Sequence, residues 1–231
     1  AFAFRASQPL RYLAVVVSRL RPVAERTVPV TDDPEAVSAG LGEITVRVQG
    51  TPRQQARGRA IMEPTADILR FYTSLVGHAP YASATIAVIE SDLPGGHSPG
   101  YFAVVNDPVA SASTWRGDPA SSDGFPDFFL AHELAHQWWG QAVGWKNYHE
   151  QWLSEGFAQY FAALYARESR GERVFGDMLT QFRRWSLSES DQGPVHLAYR
   201  LGHIQQDQRV FRALERVFET FETPVMVVVI A

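Results

Sequence analysis

The sequence predicts an α+β fold, on three observations. Short β-rich runs dominate its first half, apolar residues at helical spacing dominate from about residue 125 onward, and no internal repeat relates the two. Strands first and helices second divide the 231 residues into a β-rich part over about 1–106 and a helical part over about 125–231, read as one domain. Hydrophobic residues make up 45% of the chain and charged residues 20%, which supplies a core and argues against disorder.

Tyr12 to Val17 is apolar and β-branched and reads as a buried strand, and Pro22 to Gly42, rich in Pro, Asp, Ser and Gly, as a loop. Ile44 to Val48 alternates and reads as a half-exposed strand. Between Thr51 and Gly77 the residues Ile61, Ile68, Leu69, Tyr72, Leu75 and Val76 fall at helical spacing. Gly77 marks the stop, and Pro64 is either a kink or a first turn. Thr85 to Glu90 and Tyr101 to Val105 are β-rich runs around a Gly- and Pro-rich turn, Leu93 to Gly100. They form an antiparallel pair or an edge strand beside a cleft. Asp107 to Gly124 reads as a loop. Pro126 opens a helix that runs to Gly140, and Ser154 caps one that runs to about Ser169 with Gly171 beyond it. Glu172 to Ser186 and Asp207 to Phe221 are two more amphipathic helices.

The composition excludes several classes of function. A formal net charge of −4 argues against non-specific nucleic-acid binding, which needs a basic field. No apolar run approaches the ~20 residues of a membrane span; the longest, Val225 to Ala231, has the length of a strand. Cysteine is absent, so a metal would be held by His, Asp or Glu. The chain opens Ala1-Phe2-Ala3-Phe4, with no methionine and no recognisable signal peptide, and reads as a processed chain or a fragment.

The informative segment is His132-Glu133-Leu134-Ala135-His136. On a helix the two His share one face and can bind one zinc ion through ring nitrogens. Glu133 leaves the same turn at another angle, where it can reach a water on the metal without ligating it, as a general base does. A third protein ligand is required. The metzincin pattern asks for glycine at position 139 and histidine at position 142, and the chain has Trp139 and Ala142. The other common arrangement is a Glu on a following helix, and Glu155 follows His136 with eighteen residues between them, in Trp152-Leu153-Ser154-Glu155-Gly156-Phe157-Ala158. With Ser154 as cap, Glu155 falls in a first turn favoured by the helix dipole. Gln159 shares its face and is expected at the surface, the alternative being a hydrogen bond to a ligating side chain.

These motifs, with the continuation His136-Gln137-Trp138-Trp139-Gly140, resemble the gluzincin aminopeptidases of the aminopeptidase N and leukotriene A4 hydrolase type over about residues 80–205. The resemblance implies a thermolysin-like catalytic domain with a mixed sheet above a helical lobe. It implies one Zn²⁺ on His132, His136 and Glu155, Glu133 as catalytic base, and a peptide as substrate. That family carries Gly-x-Met-Glu-Asn about thirty residues before the first His, where the backbone lines the cleft and the Glu binds the substrate's amino group. Here the matching run is Gly95-Gly96-His97-Ser98-Pro99-Gly100, without a Glu. Gly95, Gly96, His97 and Ser98 are therefore the expected substrate-binding residues, through backbone groups, with amine recognition altered. The family also uses a downstream Tyr to stabilise the oxyanion. Tyr199 lies earlier than that position and is expected to be structural. The family's flanking domains have no room in 231 residues. The implied activity is zinc-dependent peptide hydrolysis of aminopeptidase type. A zinc-stabilised but inert binding module, and a metal-free globular module, are the alternatives.

Overall fold

Ile44, Val46 and Val48 put one face of β2 (Glu43–Gly50) into the core, as the alternation predicts. A computed structural model describes residues 18–90, 96–107, 125–146 and 150–187, together with residues 10, 12, 14 and 16. In it β2 pairs antiparallel with β1 (Arg21–Pro29) on one side and parallel with β3 (Ser83–Glu90) on the other. β5 (Phe102–Asp107) lies parallel to β3, and the two-residue β4 (Gly96–His97) lies antiparallel to β5 at the far edge. The result is a mixed five-stranded sheet in the order β1-β2-β3-β5-β4.

The early segments differ from expectation. The stretch read as a loop from Pro22 to Gly42 contains β1 and the short helix α1 (Pro34–Ser38). Pro22 and Pro29 mislead because they stand at the ends of an edge strand, where a missing N–H costs the ladder least, and the register shifts between Pro22 and Ala24. Pro34 occupies the first turn of α1, and Asp33 accepts a hydrogen bond from the Glu35 N–H at 2.8 Å. The strand expected over Tyr12–Val17 is absent at its described residues 12, 14 and 16. Tyr12 is 40% exposed, and its ring stacks on His97 instead of entering a ladder.

The single helix expected before Gly77 is two, α2 (Gln55–Ala60) and α3 (Met62–Val76), with Pro64 in the first turn of the second. Gly77 ends α3 in the left-handed region, φ 97°, where its N–H bonds the Thr73 carbonyl at 2.7 Å. These helices also overturn a strict strands-then-helices order. Parallel β2 and β3 cannot be joined by a hairpin, and α2 and α3 supply the crossover. Nor are the two runs around the turn an antiparallel pair. β5 is parallel to β3, and the antiparallel partner is β4, which forms the sheet edge.

Three helices follow: α4 (Phe128–Ala135), α5 (Gln151–Arg170) and α6 (Glu172–Leu187). Every residue of α4 is buried. It ends before the expected Gly140, because the chain turns back so that the Gly140 N–H bonds the Val143 carbonyl and the Val143 N–H the Trp138 carbonyl, each at 2.8 Å. α5 starts at Gln151, so Ser154 is a buried residue of its first turn rather than its cap. A cluster of rings joins the layers. Tyr72 of α3 is fully buried, meets Trp138, Phe161 and Tyr165, and donates its hydroxyl to the Ala131 carbonyl of α4 at 3.0 Å. Among the described residues no helix is long and apolar enough to cross a membrane. The helix expected over Asp207–Phe221, the apolar run Val225–Ala231, Tyr199, and residues 108–124 of the expected loop lie outside the described residues.

Candidate metal centre

His132 and His136, four residues apart at the C-terminal end of α4, aim their rings at the same point. Their Nε2 atoms are 3.1 Å apart and the ring planes are perpendicular. Glu155 of α5 brings its Oε2 to 3.4 Å from each. Two imidazole nitrogens this close must share a proton or a cation. A tetrahedral zinc with ligands at about 2.0–2.1 Å holds its donor atoms roughly 3.3 Å apart, so the three side chains fit the ion. The far side of His136 supports this: Nδ1 lies 3.0 Å from the Trp139 carbonyl, which can only accept. Nδ1 therefore carries hydrogen and Nε2 faces the centre. The Nδ1 of His132 is buried without a hydrogen-bond partner among the described residues.

The electrostatics match a site built for positive charge. Burial opposes a charge on His136. The hydrogen bond and charge of Glu155, the charge of Glu133 and the Trp139 carbonyl more than offset it and push its pKa up to about 9. For Glu155 burial acts in the opposite sense, and the two imidazoles overcome it, holding the carboxyl well below the usual carboxylate range. The same neighbours that favour a charged His136 would favour a cation at this point.

Glu133 meets the sheet edge through its carboxylate. It is 5% exposed, and its Oε2 accepts a hydrogen bond from the hydroxyl of Ser98. Gly96 of β4 lies directly against the same carboxylate: a Cβ there would stand 2.7 Å from Glu133 Cδ and Oε1 and 2.8 Å from Phe129 Cζ. Gly96→Ala is accordingly expected to cost about 1–3 kcal/mol through overpacking. Urea unfolding of the purified chain checks this, and an unchanged midpoint would show that β4 can withdraw from α4.

Of the residues expected to bind substrate, Gly95 lies outside the described ones. Gly96 and His97 form β4. His97 is exposed, with Nε2 3.2 Å from the Tyr12 hydroxyl, whereas Ser98 is buried and turned toward Glu133. Gln159 is a correction. Expected at the surface, it is 5% exposed, and its Oε1 has no hydrogen-bond partner among the described residues. The reason is that α5 packs against both α4 and α6, which leaves its middle little free surface. Two residues not singled out in the sequence also belong here. Gln137 accepts from the Tyr101 N–H at 3.0 Å and donates to the carbonyls of Pro99 (3.1 Å) and Phe102 (3.2 Å). Gln141 donates to the Ser98 carbonyl at 3.0 Å. Their places four and eight residues beyond Glu133 were the available signal.

The chain is similar to several known proteins. The family model described as Peptidase family M1 domain matches residues 128–216. Aminopeptidase Ey of Gallus gallus is 30% identical over 160 residues, which is 67% of this chain and 16% of that protein. Aminopeptidase O of Mus musculus is 28% identical over 99 residues, covering 42% of this chain and 11% of that one. The chain thus spans less than a fifth of the length of either relative. Among solved structures, an M1 zinc metallopeptidase from Deinococcus radiodurans superposes with a TM-score of 0.52 at 23% identity, over 76% of this chain and 34% of that one. At that identity the likeness bears on the fold.

Proposed function

Starting from the M1-type peptidase domain to which residues 128–216 belong, we propose that the whole chain is a single catalytic domain that hydrolyses peptide bonds with one bound zinc ion. The observation that carries the reading is the convergence of His132, His136 and Glu155 on one point, with the carboxylate of Glu133 on the adjoining face of the same helix. His132, His136 and Glu155 would hold the zinc ion, which when bound would supply Lewis-acid polarisation of the scissile carbonyl and of the attacking water. Glu133 takes the proton of the attacking water on a carboxylate oxygen and delivers it to the leaving amine. β4 is the last strand of the sheet, and its backbone is suited to hold an extended peptide by strand addition, with Gly96 and His97 as the contact residues.

The same reading includes an altered amine site. The run from Gly95 to Gly100 holds no carboxylate to pair with a substrate ammonium, and such a buried charge-assisted pair contributes strongly where present. The test is a digest of one peptide in free and N-acetylated form by the zinc-loaded chain, with a chelated control. Cleavage is expected only with zinc, and acetylation is expected to change the rate by less than about tenfold. A preference of a hundredfold or more for the free amine would show that another carboxylate does this work. No cleavage of either form would remove the peptidase reading.

A further inference from the structure

Glu133, Gln137 and Gln141 are spaced four apart, all buried, and all turn to one short segment, Ser98 to Phe102. His132 and His136 occupy the neighbouring face at the same spacing and turn to the metal centre. One stretch of chain therefore carries two stripes, one for the ion and one for the turn between β4 and β5. Gln137 bonds three backbone groups of that turn, and Tyr101 is held there at φ 72°, a left-handed conformation that a residue other than glycine keeps only when its surroundings enforce it. Gln141 fixes the Ser98 carbonyl and also donates to the Tyr12 hydroxyl at 3.3 Å.

Ser98 is thus anchored by its backbone before its side chain does anything. It is 5% exposed, so its hydroxyl offers little to a substrate, and the hydroxyl hydrogen goes to Glu133 Oε2. The other oxygen, Oε1, lies 2.7 Å from where a Cβ on Gly96 would stand, so it fills the space that the glycine leaves open. A carboxylate hydrogen-bonded at one oxygen and confined beside the other cannot swing freely about its last torsion.

Resting on the peptidase reading above, we propose that Ser98 is a positioning residue for Glu133, holding the base at a fixed angle from the sheet edge rather than contacting the substrate. The inference has a physical logic. A base must lie within hydrogen-bond reach of the proton it takes, and a displacement of about 1 Å can cost on the order of a hundredfold in rate. By linking the base to β4 the fold sets it relative to the strand along which the peptide is proposed to lie.

The experiment uses the full 231-residue chain and two independent readouts. The first is a double-mutant cycle in urea unfolding with Ser98→Ala, Glu133→Ala and the pair. The downward shift in midpoint caused by Ser98→Ala is expected to shrink by at least half in the Glu133→Ala background, whereas additive shifts overturn the link between the two side chains. The second is kinetic, on the zinc-loaded chain with metal content verified. Ser98→Ala is expected to lower kcat by tenfold to a hundredfold with KM within twofold, and Ser98→Thr, which keeps the hydroxyl, to recover most of the loss. A raised KM with kcat retained would overturn the proposal and return Ser98 to the substrate. Absence of any turnover in the unmutated zinc-loaded chain overturns the peptidase reading and the positioning role with it, an outcome distinct from additive unfolding shifts.

Discussion

Glu133→Gln is expected to leave the metal content near one zinc per chain and to lower peptide turnover by about 10²–10⁴-fold, the usual contribution of a positioned general base. The substitution is chosen because it is nearly isosteric. The amide oxygen can still accept the Ser98 hydroxyl, the close contact with Gly96 is kept, and none of the three candidate ligands is touched. What is lost is the ability to take a proton. Metal analysis and rates on one peptide, measured on the same preparation, separate the two effects. Turnover within threefold of the unmutated chain, with zinc retained, would take the proton-transfer role away from Glu133.

The second large effect is expected from His136→Ala. It removes one of three donor atoms and leaves Glu155 with a single imidazole neighbour, so zinc should fall to a small fraction of an equivalent after dialysis. Unchanged zinc would exclude His136 from the centre. The same variant has a signature in the metal-free chain. The pKa of His136 is raised from 6.5 to about 9, so protonation contributes stability that is fully present below about 6.5 and is lost as pH rises through about 9. Glu155 has the opposite sign: its lowered pKa contributes stability above about 4.5 that is lost as pH falls. Between about pH 6.5 and 9, therefore, the metal-free chain should lose stability as pH rises, and His136→Ala should flatten that slope. Urea midpoints across this range, in the presence of a chelator, measure it.

The convergence of His132, His136 and Glu155 was legible from the sequence because it follows from their spacing. Two His four apart on a helix must share a face, and only Glu155 offered a carboxylate at a familiar distance beyond them. The alternation at Ile44, Val46 and Val48 was legible for the same reason. What escaped was set by long-range pairing. Nothing near Pro22 or Pro29 announces that β2 will accept that segment as an edge strand, and nothing in Thr85–Glu90 says that its partners run parallel to it. Ser98 shows the same limit within the site. Its place in a turn was readable, but its engagement with Glu133 arises only when the sheet edge meets α4. Gln159 was misjudged because its exposure depends on how α5 packs between α4 and α6, which its own neighbours in sequence do not reveal.

The parallel centre of the sheet has a consequence for how the chain reaches this state. Gly50 pairs with Val88 and Thr45 with Ser83, so β2 and β3 cannot zip up from a tight turn, and their ladder closes only across the whole connection that carries α2 and α3. Such non-local pairings are entropically late events and slow the search. Glu133 meets Ser98 only where the β4–β5 segment is seated on β3. The two His, by contrast, come together as soon as α4 forms its turns. The imidazole pair thus rests on contacts local in sequence, and the pairing of Glu133 with Ser98 on contacts that bring the sheet edge to α4.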